Sequence, residues 1–485
     1  DEKKLLQSWR KPIVLGASTG ILPDEVAKGL TSVGVMLPNM PFHYLLFEHM
    51  KTDVMVLTSG NFSDEPILID NDEAAKAFLN RTAAVISYNR EIVNRNDDSV
   101  AFVVNQKTRL IRRSRGYTPS PININLNTEG IFAAGAELVN CFAIGKGQQA
   151  IVSQHIGDLK NMETLDFYKE SIERFNHLFR FKPLLVVADM HPDYLSTRYA
   201  EGLKIPITYV QHHHAHLASC MAEHGLKEKV IGVCLDGTGY GMDGNIWGGE
   251  FLYGDLIDFE RFAHFEYIPQ PGGDVVTKHP WRMMVSYLNH YFGNSFFNSN
   301  PDILKGIEKS EADLVLSMID NQINSPFTSS AGRLFDAVSA LLGVCRHAAY
   351  HAEAPMQLES IVNLETEKSY GWLTGTDISF KPLFSEMLDD LAHGIPVGEI
   401  SAKFHNTVVD VIVSTAKIMR NKLKTNLIVL SGGSFQNRIL LQKTENKLKE
   451  CNFAVYSQEQ VPSNDGGIAL GQLAIAAQRR LHNRI

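Results

Sequence analysis

The sequence predicts an α/β protein with two cores of unequal size. Three observations carry this: apolar runs of strand length recur between stretches of helical text, turn residues separate them, and a polar stretch rich in proline and asparagine interrupts the pattern near residue 120. With 485 residues, 44% apolar and 21% charged, the composition is that of an ordinary globular protein with material for several domains.

In the first domain, taken as residues 1–118, the runs PIVLG (12–16), VGVML (33–37), DVMVLTSGN (53–61), SVAFVV (99–104) and TRLIRR (108–113) read as strands. Residues 119–129 read as a linker because they carry prolines and asparagines without apolar periodicity. From residue 130 to 485 the strand-like runs continue, among them PLLVVADM (183–190), KVIGVCLDG (229–237), NIWGGEFLYGD (245–255) and NLIVLSGG (426–433). A helix is expected over 402–423, with Phe404, Val408, Val411, Ile412, Thr415 and Met419 on its core face.

Charge and cysteine usage narrow the function. Forty-six basic residues against 54 acidic ones give a net charge of -8, the wrong sign for a nucleic-acid partner. Five scattered cysteines without a C-x-x-C pair indicate neither a disulfide framework nor a zinc finger. No apolar stretch reaches the roughly 18 residues of a membrane helix, and the opening residues lack signal-peptide character, so a cytoplasmic address and no membrane partner are expected.

The densest chemical feature is the run from Tyr209 to His216, with four histidines in five positions entering helical text. On a helix His212 and His216 stand at i and i+4 and project side by side, the spacing for two imidazoles to chelate one ion, while His213 and His214 point elsewhere. Clustered histidines are often surface or partner-satisfied residues, but four together after a strand favour a metal. Cys220, one turn on, reads as a small buried hydrophobe.

Two glycine-rich turns follow. The segment from Leu235 through Asp236, Gly237, Thr238 and Gly239 to Gly244 joins two strands, which suits either close backbone approach to an anion or a plain hairpin. Asp236, at the strand end, is a candidate ligand. The turn with Gly432 and Gly433, ending at Asn437, lies between a strand and a helix, where a phosphate or ribose can be met. Asp465 opens a C-terminal helix and reads by default as its N-cap. Ser329–Asp336 and Thr58–Pro66 are candidate polar loops, and no Walker, G-x-S-x-G or H-E-x-x-H motif is present.

Taken in order, TSGNFSDEPI, NRNDDSVAFVV, RLIRRSRGYTPSPI, GAELVNCFAIGKG, SQHIGDL, VQHHHAH, LDGTGYGMDGNIWGGEF, SSAGRLFDAVSALLG, SGGSFQN and PSNDGGIALGQ resemble the HypF carbamoyltransferases of [NiFe]-hydrogenase maturation along essentially the whole chain. The resemblance implies the later part of a YrdC-like α/β domain followed by a threonylcarbamoyltransferase-like domain whose two lobes are of the actin and sugar-kinase (ribonuclease H-like) nucleotide-binding type. It also implies a C-terminal piece of a longer protein, without the acylphosphatase and zinc-finger regions that precede these domains in the family.

By residue, it implies a metal, iron or zinc, on His212, His216, Asp236 and Asp465. It implies nucleotide contacts at Leu235, Gly237, Thr238, Gly239, Asp336, Gly432, Gly433 and Asn437, and in the first domain at Ser59, Asn61 and Arg113. The implied cofactors are ATP, with Mg, and one divalent ion. The implied reaction forms carbamoyl adenylate from ATP and carbamate derived from carbamoyl phosphate, and passes the carbamoyl group to the C-terminal cysteine of HypE. The related threonylcarbamoyl adenosine pathway on tRNA uses the same domain types, but its transferase has Ser-Gly-Gly where this chain has Asp236-Gly-Thr, and tRNA favours a basic surface. An actin-like ATPase, the other alternative, needs no histidine pair.

Overall fold

The computed structural model describes residues 1–485 apart from Asp64 and Tyr88. It divides into two compact units, Asp1–Gly16 with Val33–Val210 and Glu459–Ile485, and Ala17–Ser32 with Gln211–Gln458.

Strands β1 (Ile13–Ala17), β2 (Ser32–Val35), β3 (Val100–Val104) and β4 (Lys107–Arg112) form a sheet in the order β2-β1-β3-β4. Asn105 and Gln106 join β3 to β4 with φ of 50° and 63°, the two-residue turn whose twist matches that of antiparallel strands. The run at 53–61, expected as a strand, contains none; Val54 and Val56 are 60% and 74% exposed. Its composition suits a strand, but a strand forms only where a neighbour pairs its backbone groups, and among the described residues none does.

The expected linker also differs, because it contains β5 (Ile122–Asn123), which pairs with a later strand. With β6 (Ile131–Ala133), β7 (Ala143–Lys146), β8 (Gln149–Val152), β9 (Leu185–Asp189) and β10 (Ile207–Val210) it makes a six-stranded sheet ordered β10-β9-β6-β7-β8-β5. Phe132, Phe142, Tyr168 and Phe175 form the core beneath it, with Phe142 and Phe175 edge-to-face at 5.0 Å. The Ile468–Leu481 helix, buried from Ile468 to Ala477, packs on β6, β7 and β9.

The second unit contains β11 (Val230–Leu235), β12 (Gly249–Gly254), β13 (Phe259–Phe265), the small pair β14 (Ile268–Pro269) and β15 (Phe327–Thr328), then β16 (Asp377–Ile378), β17 (Leu427–Ser431) and β18 (Ala454–Ser457). The large sheet runs β16-β13-β12-β11-β17-β18. Apart from the edge strands β5 and β16, the two sheets share one pattern: β6–β7–β8 and β11–β12–β13 pair antiparallel in succession, β9 and β17 lie parallel to β6 and β11, and β10 and β18 lie parallel to β9 and β17. The chain therefore builds one topology twice, as a two-lobed nucleotide-binding fold requires. β11 is buried along its whole length, which explains its uninterrupted apolar run. The helix expected over 402–423 spans Val397–Leu423, and its six predicted core residues are all buried.

Candidate metal and nucleotide site

The histidines open the helix His212–His224, which follows β10 directly. Gln211 caps it, its side-chain oxygen accepting the His214 N–H at 2.9 Å, so a residue outside the histidine run sets where the helix begins. All four histidines are fully buried. His214 Nε2 lies 2.7 Å from the Asp255 carbonyl, and His213 Nδ1 lies 3.3 Å from Gln211 Nε2. His214 is thus turned to the Asp255 carbonyl, whereas His213, expected to point elsewhere, stays beside the pair, its ring centroid 5.3 Å from that of His212 and 6.1 Å from that of His216.

His212 Nε2 and His216 Nε2 converge on Asp236 Oδ2, at 3.5 and 3.6 Å. Asp236 follows the last residue of β11, and its other oxygen accepts the Gly433 N–H at 2.9 Å. Burial pushes its carboxyl pKa up, but the imidazoles of His212 and His216 outweigh this and hold it well below the usual range. Burial, followed by the neighbouring His212, holds His213 well below the usual imidazole range, so that ring is neutral. His212, His216 and Asp236 all lie in the second unit, while Asp465, the fourth candidate, lies in the first.

This donor set fits a metal ion. Two ligand atoms bonded at 2.0–2.1 Å to a tetrahedral ion stand about 3.3 Å apart, close to the observed nitrogen–oxygen separations. Mixed imidazole and carboxylate donors suit iron, zinc or manganese. The surroundings are also shaped for the rings: a Cβ on Gly239 would stand 2.4 Å from His213 Cε1 and 2.8 Å from His212 Cδ2, so only glycine lets the turn close over them.

The default reading of Asp465 as a cap needs correction. Asn464 is the cap of the short turn Asp465–Gly467, accepting the Gly466 N–H at 3.0 Å, and the Asp465 carboxylate is not the capping group.

The candidate nucleotide residues fall into two sets. Leu235, Asp236, Gly237, Thr238, Gly239, Gly432 and Gly433 come together, because β11 and β17 are parallel neighbours whose C-terminal ends carry the two glycine turns, the usual place for a ligand in such a sheet. The Leu235 side chain lies in the core, so only its backbone is available to a ligand. Gly432 has a φ of 102°, and a Cβ there would stand 2.2 Å from the Leu235 carbonyl oxygen. Asn437 caps the helix Arg438–Glu450, accepting the Leu440 N–H at 2.8 Å, while its Nδ2 meets His405 Nε2 at 3.0 Å. Asp336 is buried beside Arg333, with 2.9 Å between Oδ2 and Nε, and burial pushes its carboxyl up to about 6 against the guanidinium's pull. Arg333 was missed by sequence reasoning, since Ser329–Asp336 gave only the signal of a polar loop.

In the first domain, Ser59 is exposed and Asn61 donates to the carbonyls of Phe62 and Glu65. Asp64, in the same polar loop, lies outside the described residues. Arg113 is buried, and its guanidinium donates to Thr118 Oγ1 and to the carbonyls of Tyr117, Ser120 and Val152.

Comparison with known proteins agrees with this layout. Three family models match in order: the Sua5/YciO/YrdC model, described as telomere recombination, over residues 1–114; the HypF Kae1-like domain over 126–223; and the second subdomain of the carbamoyltransferase Kae1-like domain over 232–472. The crystal structure of a full-length HypF in phosphate- and nucleotide-bound form is 44% identical, with a TM-score of 0.94 over 99% of this chain and 76% of that one. The chain belongs to the HypF carbamoyltransferase family. A HypF homologue of Cupriavidus necator is 31% identical over 72% of this chain and 92% of its own length. The HypF of Synechocystis sp. is 36% identical over 99% of this chain, which spans 64% of that relative's length. Among the described residues no helix is long and apolar enough to cross a membrane.

Proposed function

We propose that this chain carries the carbamoyl-transfer half of the HypF reaction. Carbamate from carbamoyl phosphate is activated by ATP as carbamoyl adenylate in the YrdC-like domain, and the carbamoyl group passes to the C-terminal cysteine thiol of HypE. One observation carries the reading: the buried pair of imidazoles converging on the Asp236 carboxylate beside paired glycine turns. His212, His216, Asp236 and Asp465 hold the ion, and the turns at Gly237–Gly239 and Gly432–Gly433 seat the nucleotide. When bound, such an ion supplies Lewis acidity to a carbonyl oxygen.

The chain's own residues prepare the site. Gly433 fixes one Asp236 oxygen, leaving the other directed toward the histidines. Thiolate attack on the carbamoyl carbon forms the C–S bond as the C–O bond to the adenylate phosphate breaks, with AMP leaving. The acceptor supplies the nucleophile; in this chain burial pushes Cys141 up to about 12, Cys345 up to about 11 and Cys234 higher still, holding these thiols protonated.

Elemental analysis of the purified chain, with mass spectrometry of HypE after incubation with ATP and carbamoyl phosphate in a full-length parent, tests the proposal. The His212→Ala/His216→Ala variant is expected to lose bound metal and thiol carbamoylation together while pyrophosphate release persists. Metal content equal to that of the wild type in the folded double variant would refute the assignment.

A further inference from the structure

The Ala331–Leu341 helix begins against the turn that follows β11. Ser330 caps it, accepting the Arg333 N–H at 3.1 Å, and its hydroxyl lies 3.0 and 2.7 Å from the carbonyls of Asp236 and Gly237. The Ala331 and Gly332 amides donate to the carbonyls of Gly248 and Asp236. The first-turn N–H groups are therefore engaged in docking the helix, and none is left to bind an anion. What the helix delivers to the turn is a side chain.

Arg333 is nine-tenths buried, and its Nε is 2.9 Å from Asp336 Oδ2. Its Nη2 stands 4.0 Å from the position of a Cβ built on Gly237, and among the described residues its buried Nε has no hydrogen-bond partner of good geometry. A guanidinium nine-tenths buried, with one counter-charge and an unsatisfied Nε donor, is costly to keep, which a second anion at the turn would offset. The planar fork of arginine matches two oxygens of a phosphate, and the glycine at 237 keeps that approach open.

We propose that Arg333 binds the phosphate of a nucleotide seated on the Gly237–Gly239 turn, and so selects nucleotides over nucleosides there. This rests on the nucleotide reading of that turn given above. The alternative is a structural role in which Arg333 only holds Asp336 in place.

AMP and adenosine titrated into the full chain by calorimetry separate the two. Gly237→Val identifies the binding step that belongs to the turn, since Gly237 has room for a side chain and no left-handed φ. For that step, Arg333→Gln is expected to weaken AMP roughly tenfold or more while leaving adenosine within about twofold, with Arg333→Lys intermediate for AMP. Equal weakening of both ligands, or unchanged AMP affinity in folded Arg333→Gln, overturns the proposal. If Gly237→Val removes no binding step, the nucleotide reading fails first, and the proposal with it.

Discussion

The two lobes share a strand order, yet their equivalent first loops do opposite things. After β6 the loop folds onto its own lobe: Gln472 grips Gly135 through both backbone groups at 2.9 and 3.2 Å, Asn140 donates to the Ala134 and Ala136 carbonyls, and Glu137 accepts the Leu195 N–H. After β11 the loop starts with Asp236 turned toward two imidazoles, and its far end is held by a charged buttress. There Glu250, fully buried, accepts two bonds from Arg261 at 2.6 and 3.0 Å and one from Ser329 at 2.6 Å, while Arg261 stacks on Trp247 at 3.8 Å. Topology therefore does not distinguish the lobe that holds Asp236 and the histidines. The distinction lies in whether the loop's polar groups are consumed locally or left facing a site, with a separate network keeping the loop in shape.

The buttress offers the strongest way to break this contrast. Glu250→Gln leaves Arg261, whose side chain is 16% exposed, with its main counter-charge gone and is expected to lower unfolding free energy by about 3 kcal/mol, since breaking a pair whose carboxylate is fully buried costs more than breaking an exposed one. Chemical denaturation measures it. A loss below about 1 kcal/mol would mean that the network is not what supports the loop.

A matched pair of glycine substitutions sharpens the comparison. In Gly239→Ala the new Cβ collides with the His212 and His213 rings, while in Gly135→Ala it collides with the Cys141 carbonyl, at 2.1 Å, in a residue whose φ is 79°. Both should cost roughly 1–3 kcal/mol. Only Gly239→Ala should also reduce bound metal in elemental analysis. Equal metal loss from both would show that the first lobe's loop serves the site as directly as the second's.

The smallest effect belongs to Glu137, whose carboxyl burial pushes up to about 7, above its ordinary value of 4.5. Because the folded state holds the proton more tightly, the cost of ionising it is absent below pH 4.5 and grows as pH rises through about 7. Glu137→Gln should remove that decline. The side chain is only partly buried, so the gain at pH 8 should stay under about 1 kcal/mol. Thermal unfolding midpoints of both proteins across pH 5–8 would show it, and parallel profiles would count against a protonated Glu137.

Periodicity and residue type were enough to read much of this protein. The strand runs at 183–190, 229–237, 245–255 and 426–433 follow from apolar stretches of strand length, and the Val397–Leu423 helix and the projection of His212 with His216 follow from the 3.6-residue repeat. Asp236 was legible because a strand end beside a glycine turn is a place where side chains meet ligands.

Pairing and long-range approach were decided only in three dimensions. The run at 53–61 has strand composition but pairs with no described strand, whereas Ile122–Asn123, in text without periodicity, finds β8. Asn464 rather than Asp465 takes the cap, a choice between adjacent residues that local sequence leaves open. Arg333 comes up to the Gly237 turn because Gly332 packs on Gly237, with 3.0 Å from a built Cβ to the Gly237 Cα. The physical reason is common to all four: local sequence sets which conformations and faces are cheap, but which groups meet depends on segments distant in the chain, and only the assembled fold brings those together.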